Sequence, residues 1–276
     1  AKRSLNITPR TNASDLNEIV VVGYGSQKNK DITAAISTVS AKQIAQRQPI
    51  NVLDALQGQV PGVVVAQQSG RPGATSSIRI RGTGTLEGGA DPLYIVDGAQ
   101  GVDIDGINPN DIESVTVLRD AASAAIYGSA GGNGVIIITT KKGIAGKPRV
   151  SLQYLTSFGN LSRKVPQANA ALRRLYDLKR SSSGTNPVPA DSLNPGYNAD
   201  NDYQDLLTQT AVRNQGDLSI SGGAKGINYY GSFGLIKDKG LIINSWADIA
   251  RARFNVDFKP NDKFELGTHI QALYQR

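Results

Sequence analysis

Between residues 149 and 276 the chain alternates apolar and polar side chains with a period of two, in five separate segments. The first sets Val150, Leu152, Tyr154, Thr156 and Phe158 against Arg149, Ser151, Gln153, Leu155 and Ser157. The second sets Leu218 and Ile220 against Asp217, Ser219 and Ser221, and the third carries Ile227, Tyr229, Phe233 and Leu235 on odd positions. The fourth sets Ala250, Ala252, Phe254, Val256 and Phe258 against Arg251, Arg253, Asn255 and Asp257. The fifth sets Phe264, Leu266, Thr268, Ile270, Ala272 and Tyr274 against Lys263, Glu265, Gly267, His269 and Gln271. Only a strand sends successive side chains to opposite faces, so these are five β-strands, each with one apolar and one polar face.

The connections alternate as well. More than fifty residues separate the first two strands, Gly222-Gly-Ala-Lys-Gly226 joins the next two, Lys237 to Trp246 joins the third to the fourth, and Pro260-Asn-Asp262 joins the last pair. Long loops at one end and short turns at the other describe an outer-membrane barrel. A soluble β-sandwich has no reason to alternate its loop lengths. Phe158, Tyr229, Tyr230, Phe258, Phe264 and Tyr274 near the strand ends suit interfacial aromatic girdles.

Composition narrows the alternatives. With 39% hydrophobic and 19% charged residues, the chain of 276 residues has enough apolar side chains to bury a core. No apolar run approaches the ~18 residues of a membrane-spanning helix. Cysteine is absent, which excludes disulfides, thiolate zinc sites and cysteine nucleophiles. Methionine is absent too, and the chain opens Ala1-Lys2-Arg3 without an apolar signal core, as a processed chain or an excerpt does. The basic excess is local: residues 141–180 carry ten Lys and Arg against Asp177, and the rest sums to −2 of the total +7. No stacking aromatics are interleaved there, so the run reads as a solvated loop and strand rim, with no nucleic-acid partner.

The front half has a different grammar. Residues 1–30 form a polar leader, expected to be flexible, around one knot, Glu18-Ile-Val-Val-Val-Gly-Tyr-Gly25. Residues 31–148 read as a small α+β domain, with helices from Ser40 and over 49–56, strands at 63–66, 77–81, 93–96, 114–118 and 135–139, and a helical turn over 121–127. The connection 160–212 holds a helix around Leu172, Leu175, Tyr176 and Lys179 and reads as an ordered external loop.

Motifs for covalent chemistry are missing. There is no phosphate loop and no nucleophile elbow, and Gly82-Thr-Gly84 with Gly88 is one residue out of dinucleotide register. His269, the single histidine, builds neither a zinc cluster nor a triad. Asp103, Asp105, Asn108, Asn110 and Asp111 could offer oxygens to Ca²⁺, but they miss the EF-hand register and read as a polar turn. Asn6, Asn12 and Asn160 sit in short glycosylation sequons of the kind that arise by chance. No metal site, cofactor or enzymatic activity is expected. A carboxylate pair such as Glu113 with Asp97 would make a hydrolase, but no spacing rule supports it.

Several stretches carry a resemblance. Glu18, Ile19, Val20, Val21, Val22, Gly23, Tyr24 and Gly25 look like the TonB box of SusC/RagA-like TonB-dependent transporters. Asn51-Val-Leu-Asp-Ala-Leu-Gln-Gly-Gln-Val-Pro-Gly-Val63, Ile78-Arg-Ile-Arg-Gly82, Pro92-Leu-Tyr-Ile-Val-Asp-Gly98 and Asn110-Asp-Ile-Glu-Ser-Val115 resemble successive parts of that family's plug. Asp120-Ala-Ala-Ser-Ala-Ala-Ile-Tyr-Gly128 and Asn133-Gly-Val-Ile-Ile-Ile-Thr-Thr-Lys-Lys-Gly143 complete the series in order. The likeness continues through residues 203–206, 218–223 and 229–240, the family's first barrel strands.

The resemblance implies an α+β plug domain followed by the first antiparallel strands of a transmembrane barrel that has 22 strands in the family. It implies active import of a glycan or peptide across the bacterial outer membrane, with a SusD-like surface lipoprotein as lid. TonB would grip the box in the periplasm, and a short Val-rich extended segment suits capture by strand addition. One departure concerns the Tyr-Gly-x-Arg stretch, where Ala130 stands in place of the family's frequent arginine. Arg79 and Arg81 remain candidates for polar contacts between plug and barrel, because an arginine facing a polar lumen needs acidic partners. Five strands cannot close a wide barrel, and an open edge in lipid leaves backbone groups unpaired, so the natural chain is expected to continue past Arg276. The competing reading is a soluble or surface module that binds carbohydrate or protein without transport.

Overall fold

The computed structural model describes residues 19–22, 25–28, 36–80, 82, 91–182, 201–261 and 263–276. It divides into two units, residues 1–68 with 75–142, and residues 69–74 with 143–276.

In the first unit, β1 (Ile19–Val22) and β2 (Gly25–Lys28) form an isolated antiparallel pair. A mixed five-stranded sheet follows, built from β3 (Ile36–Ser40), β6 (Leu93–Val96), β7 (Ala99–Gln100), β8 (Ile112–Leu118) and β9 (Val135–Thr140) in the order β3-β8-β9-β6-β7. Only β6 and β9 run parallel. The hairpin of β4 (Val63–Gln67) and β5 (Ser76–Ile80) stands as a separate sheet.

Local chemistry sets these elements. The short helix α1 (Ala41–Arg47) begins where Gln43 Oε1 accepts from both the backbone N–H and the hydroxyl of Ser40, each at 2.9 Å. The helix α2 (Val52–Leu56) buries Val52, Leu53, Ala55 and Leu56. Asp120 accepts from the Ser123 N–H at 2.7 Å and so caps α3 (Ala121–Ala124). The uninterrupted run Val135-Ile-Ile-Ile138 is explained by burial on both sides of β9. Ile136 and Ile138 join a core with Ile44, Leu56, Ile78 and Ile112, while Val135 and Ile137 join a second cluster with Ile95 and Leu118.

The second unit is a five-stranded antiparallel meander. Its strands are β10 (Gly146–Gly159), β11 (Ala211–Ala224), β12 (Ile227–Lys239), β13 (Trp246–Asn261) and β14 (Phe264–Gln275). At 12 to 16 residues, each exceeds the ~10 residues that a tilted strand needs to cross a bilayer. The connection between β10 and β11 contains α4 (Ala170–Ser182) and α5 (Tyr203–Leu207), and its residues 183–200 lie outside the described residues. The connection expected over 237–246 is shorter than the sequence suggests. Pairing persists to Lys239 opposite Trp246, and Gly240 N–H donates to Ser245 at 2.8 Å, which closes a tight loop.

Candidate functional site

Of the box-like segment, Ile19, Val20, Val21 and Val22 form β1. They pair with Lys28, Gln27, Ser26 and Gly25 respectively. Gly25 therefore opens the partner strand, and Glu18, Gly23 and Tyr24 lie outside the described residues. The pair is a two-stranded sheet of its own, so among the described residues the far edge of β1 carries no strand. Such an edge is a template for strand addition.

Arg79 sits on β5, exposed, with buried Ile78 and Ile80 on either side of it in sequence. Its guanidinium is thus carried on the opposite face from the core contacts of that strand. Arg81 lies outside the described residues. In the same unit Tyr94 is half-buried, and burial, aided by the charges of Asp91 and Asp105, pushes its phenol well above the ordinary tyrosine range. In the polar turn over 103–111 the side-chain oxygens have local roles: Asp103 accepts from the Asp105 N–H and Asn108 from the Asn110 N–H, both at 3.0 Å. The carboxylate of Asp97 is engaged by Thr140 at 2.7 and 2.8 Å, while Glu113 is exposed.

The two faces of the second unit differ sharply. Cross-strand pairing aligns Leu152, Leu218, Phe233, Ala252 and Ala272 in one row, and Val150, Ile220, Gly231, Phe254 and Ile270 in the next. Tyr154, Leu235 and Tyr274 lie in a row at one side of these, and Ile227, Phe258 and Leu266 in a row at the other. The large side chains of this face are exposed: Leu152 is 77% accessible, Ile270 57%, Phe254 49% and Phe233 46%. From Ile227 to Leu235 is eight residues (235 − 227), or ~27 Å of strand at ~3.4 Å per residue. Tilted by ~40°, that stretch covers ~21 Å, close to the ~25 Å apolar band of a membrane barrel.

The opposite face is polar and partly closed. Arg251, Arg253, Asn255, Gln215 and Asp238 are all buried. Arg213 donates to Asp238 at 3.2 Å, Gln215 to Asp217 at 2.9 Å and Arg253 to Gln271 at 3.3 Å. His269 Nε2 lies 3.8 Å from Asp257 on this face. Tyr230 belongs here too, only 4% exposed, which corrects its assignment to an aromatic girdle. Adjacent strand residues point to opposite faces, so Tyr229 and Tyr230 cannot share one. The buried pair Arg251 and Arg253 was legible as polar alternation but carried no signal that marked it as a site.

In the connection between β10 and β11, Lys164 Nζ lies 2.9 Å from Asp202 and 2.5 Å from Asp205. Hydrogen bonds that it donates to Asp205 and Asp202 hold its amine above the ordinary lysine range, and Lys164 holds the Asp202 carboxyl below the usual carboxylate range. Gln204 exchanges two hydrogen bonds with the Val165 backbone, at 2.7 and 2.8 Å, beside this ion pair.

Comparison with known proteins agrees with this architecture. Residues 28–135 match the model of the TonB-dependent Receptor Plug Domain. TonB-dependent receptor P39 of Formosa agariphila is 36% identical over the whole chain and 26% of its own length. TonB-dependent receptor SusC of Bacteroides thetaiotaomicron is 36% identical over 87% of this chain and 24% of its own. The solved RagAB peptide importer, in its 'open-open' state, superposes with a TM-score of 0.80 at 30% identity, covering 94% of this chain and 32% of that one. The chain spans about a quarter of the length of the curated relatives it matches. With a plug domain in its first unit and a strand meander of matching fold in its second, the chain belongs to the SusC/RagA-like TonB-dependent receptors.

Proposed function

We propose that this chain supplies the energy-coupling box, the plug and the first barrel strands of an active importer in the bacterial outer membrane. The boundaries of that reading are residues 1–30, 31–148 and 149–276. The observation that carries it is the apolar face of β10–β14, where large side chains of matching height stand exposed in register. A soluble monomer rarely leaves so large a contiguous apolar patch in water, whereas lipid covers it at no cost. That disfavours the soluble binding module.

In this reading TonB adds a strand to the free edge of Ile19–Val22 and pulls, and the plug then remodels to let cargo pass. The cargo is an oligomeric nutrient, peptide or glycan, delivered beneath a SusD-like surface lipoprotein. Support comes from the likeness to a protein described as a peptide importer and to SusC. Arg79 and Arg81 are proposed as plug arginines that meet acidic groups of the barrel. The chain's work is gated passage without covalent chemistry.

The test is deletion of residues 18–25 from the full-length protein in its native membrane. Cargo uptake should fall to the level of a strain lacking TonB, with the amount of protein in the outer membrane unchanged. Uptake that persists at the wild-type rate would refute the coupling role.

A further inference from the structure

The apolar face of the meander carries its charged side chains at one end. Directly beyond the apolar rows, Thr156, Asn214, Lys237 and Asp248 fall in register. The next row holds Phe158, Val212, Lys239 and Trp246. Both rows share the face of Leu152 and Phe254 by the two-residue alternation. They lie at the strand ends that adjoin the long connection between β10 and β11.

A concavity of about 380 Å³ opens over these rows, lined by Asn214, Lys237, Lys239, Trp246 and Asp248 among others. Lys237 and Lys239 are exposed, and among the described residues neither is in an ion pair. Asn214 Oδ1 accepts from the Tyr154 hydroxyl at 3.1 Å and from Thr156 at 2.9 Å, which leaves its NH₂ group to meet a ligand oxygen. The Arg276 guanidinium lies 5.3 Å from the centre of the Trp246 ring. Three cations thus face one carboxylate, Asp248, because the Asp238 carboxylate bonds Arg213 on the other face.

We propose that this patch binds the phosphate of an outer-leaflet lipid headgroup, with the acyl chains lying on the apolar rows beneath it. The proposal rests on the outer-membrane reading above. Two lysines at i and i+2 stand ~7 Å apart along the strand, a spacing that lets both ammonium groups approach one multi-oxygen anion. An interfacial tryptophan beside them sits at headgroup depth. Continuity between the charged rows and the apolar rows selects an anion that carries acyl chains over a free one.

The test uses full-length protein extracted from outer membranes in detergent, with bound lipid read by native mass spectrometry. Diphosphorylated lipid A is the probe, its dephosphorylated form the comparison, and inorganic phosphate the competitor. The wild-type protein should hold lipid A, and removing the phosphates should weaken retention at least tenfold. The double variant Lys237→Glu, Lys239→Glu should lose it to the same extent, while Lys225→Glu, in the turn at the opposite strand ends, should not. If the charge reversal impairs folding, the pair Lys237→Gln, Lys239→Gln gives the same readout. Retention by the variants as strong as wild type overturns the proposal, and so does full displacement by inorganic phosphate. A protein that leaves the membrane without detergent overturns the outer-membrane reading itself. One that needs detergent and ignores lipid A overturns only this inference.

Discussion

The carboxylate of Asp97 accepts two hydrogen bonds from Thr140, one from its backbone N–H at 2.8 Å and one from its hydroxyl at 2.7 Å. Asp97 and Gly98 form the two-residue turn between β6 and β7, with φ of 49° and 89°. Both central residues of such a hairpin turn need positive φ, which Asp and Gly tolerate. The same aspartate therefore shapes the turn and ties it to the end of β9. Replacing it with alanine should cost about 1–3 kcal/mol of plug stability, from the lost bonds and the strained turn. Asn at this position should retain more stability than Ala. Thermal unfolding of the two full-length variants checks the order.

Gly134 tests the packing behind that sheet. At φ of 95°, a Cβ added there would stand 2.8 Å from Ile80 Cδ1 and 3.2 Å from the Leu118 carbonyl. Gly134→Val should destabilise the plug by about 1–3 kcal/mol or more, since strain and overpacking act together. Leu56→Ala, which empties a fully buried site, should cost about 2–5 kcal/mol. Denaturant titration at constant slope measures both.

How much of this was open to inspection in the sequence differs between the two units. Four strands of the meander were readable to within about four residues of their ends, because one apolar and one polar face impose strict alternation. The strand β11 was legible only over 217–221, since Asn214 and Gly216 interrupt its apolar face and its start was assigned to the connection. Lys237, Lys239 and Trp246 were not, since they fall where alternation fades, and they were counted with a connection. In the first unit, β7 is two residues long and β2 reads Gly-Ser-Gln-Lys, so neither offers a pattern; only their pairing partners reveal them. The strands β4, β5, β6, β8 and β9 were legible because each carries a short run containing Val or Ile. Of the candidate site residues, Glu18, Gly23, Tyr24 and Arg81 lie outside the described residues, and Arg79 is exposed on β5.

The ion pair in the connection between β10 and β11 should be insensitive to pH over a broad neutral range. Asp202 is depressed, so its contribution is present above the ordinary carboxylate value and is lost as pH falls through the lowered one. Lys164 is raised, so its contribution is complete below the ordinary lysine value and is lost only as pH rises through the raised one. Hydrogen exchange at the Val165 amide, corrected for intrinsic rates, should stay level between about pH 5 and 10 and rise in stronger acid. Lys164→Gln should speed exchange across that whole range and abolish the rise in acid, because the coupled titration is gone.

Charge on the two faces of the meander should have unequal consequences. Phe254→Arg puts a guanidinium near the middle of the apolar rows, where it should cost about 2–4 kcal/mol. Ser151→Arg, on the polar face of β10, should cost far less. Folding yield into lipid vesicles for the full-length variants separates the two.

The central claim is that β10–β14 form part of a membrane wall, and labelling along one strand tests it most directly. This sequence contains no cysteine, so single cysteines placed one at a time from 227 to 239 report unique positions within it. Each carries a fluorophore in full-length protein reconstituted with brominated lipid. The account predicts quenching at 227, 229, 231, 233 and 235, protection at the even positions between them, and loss of quenching from 237 onward. Quenching that is absent, or equal at odd and even positions, would contradict it.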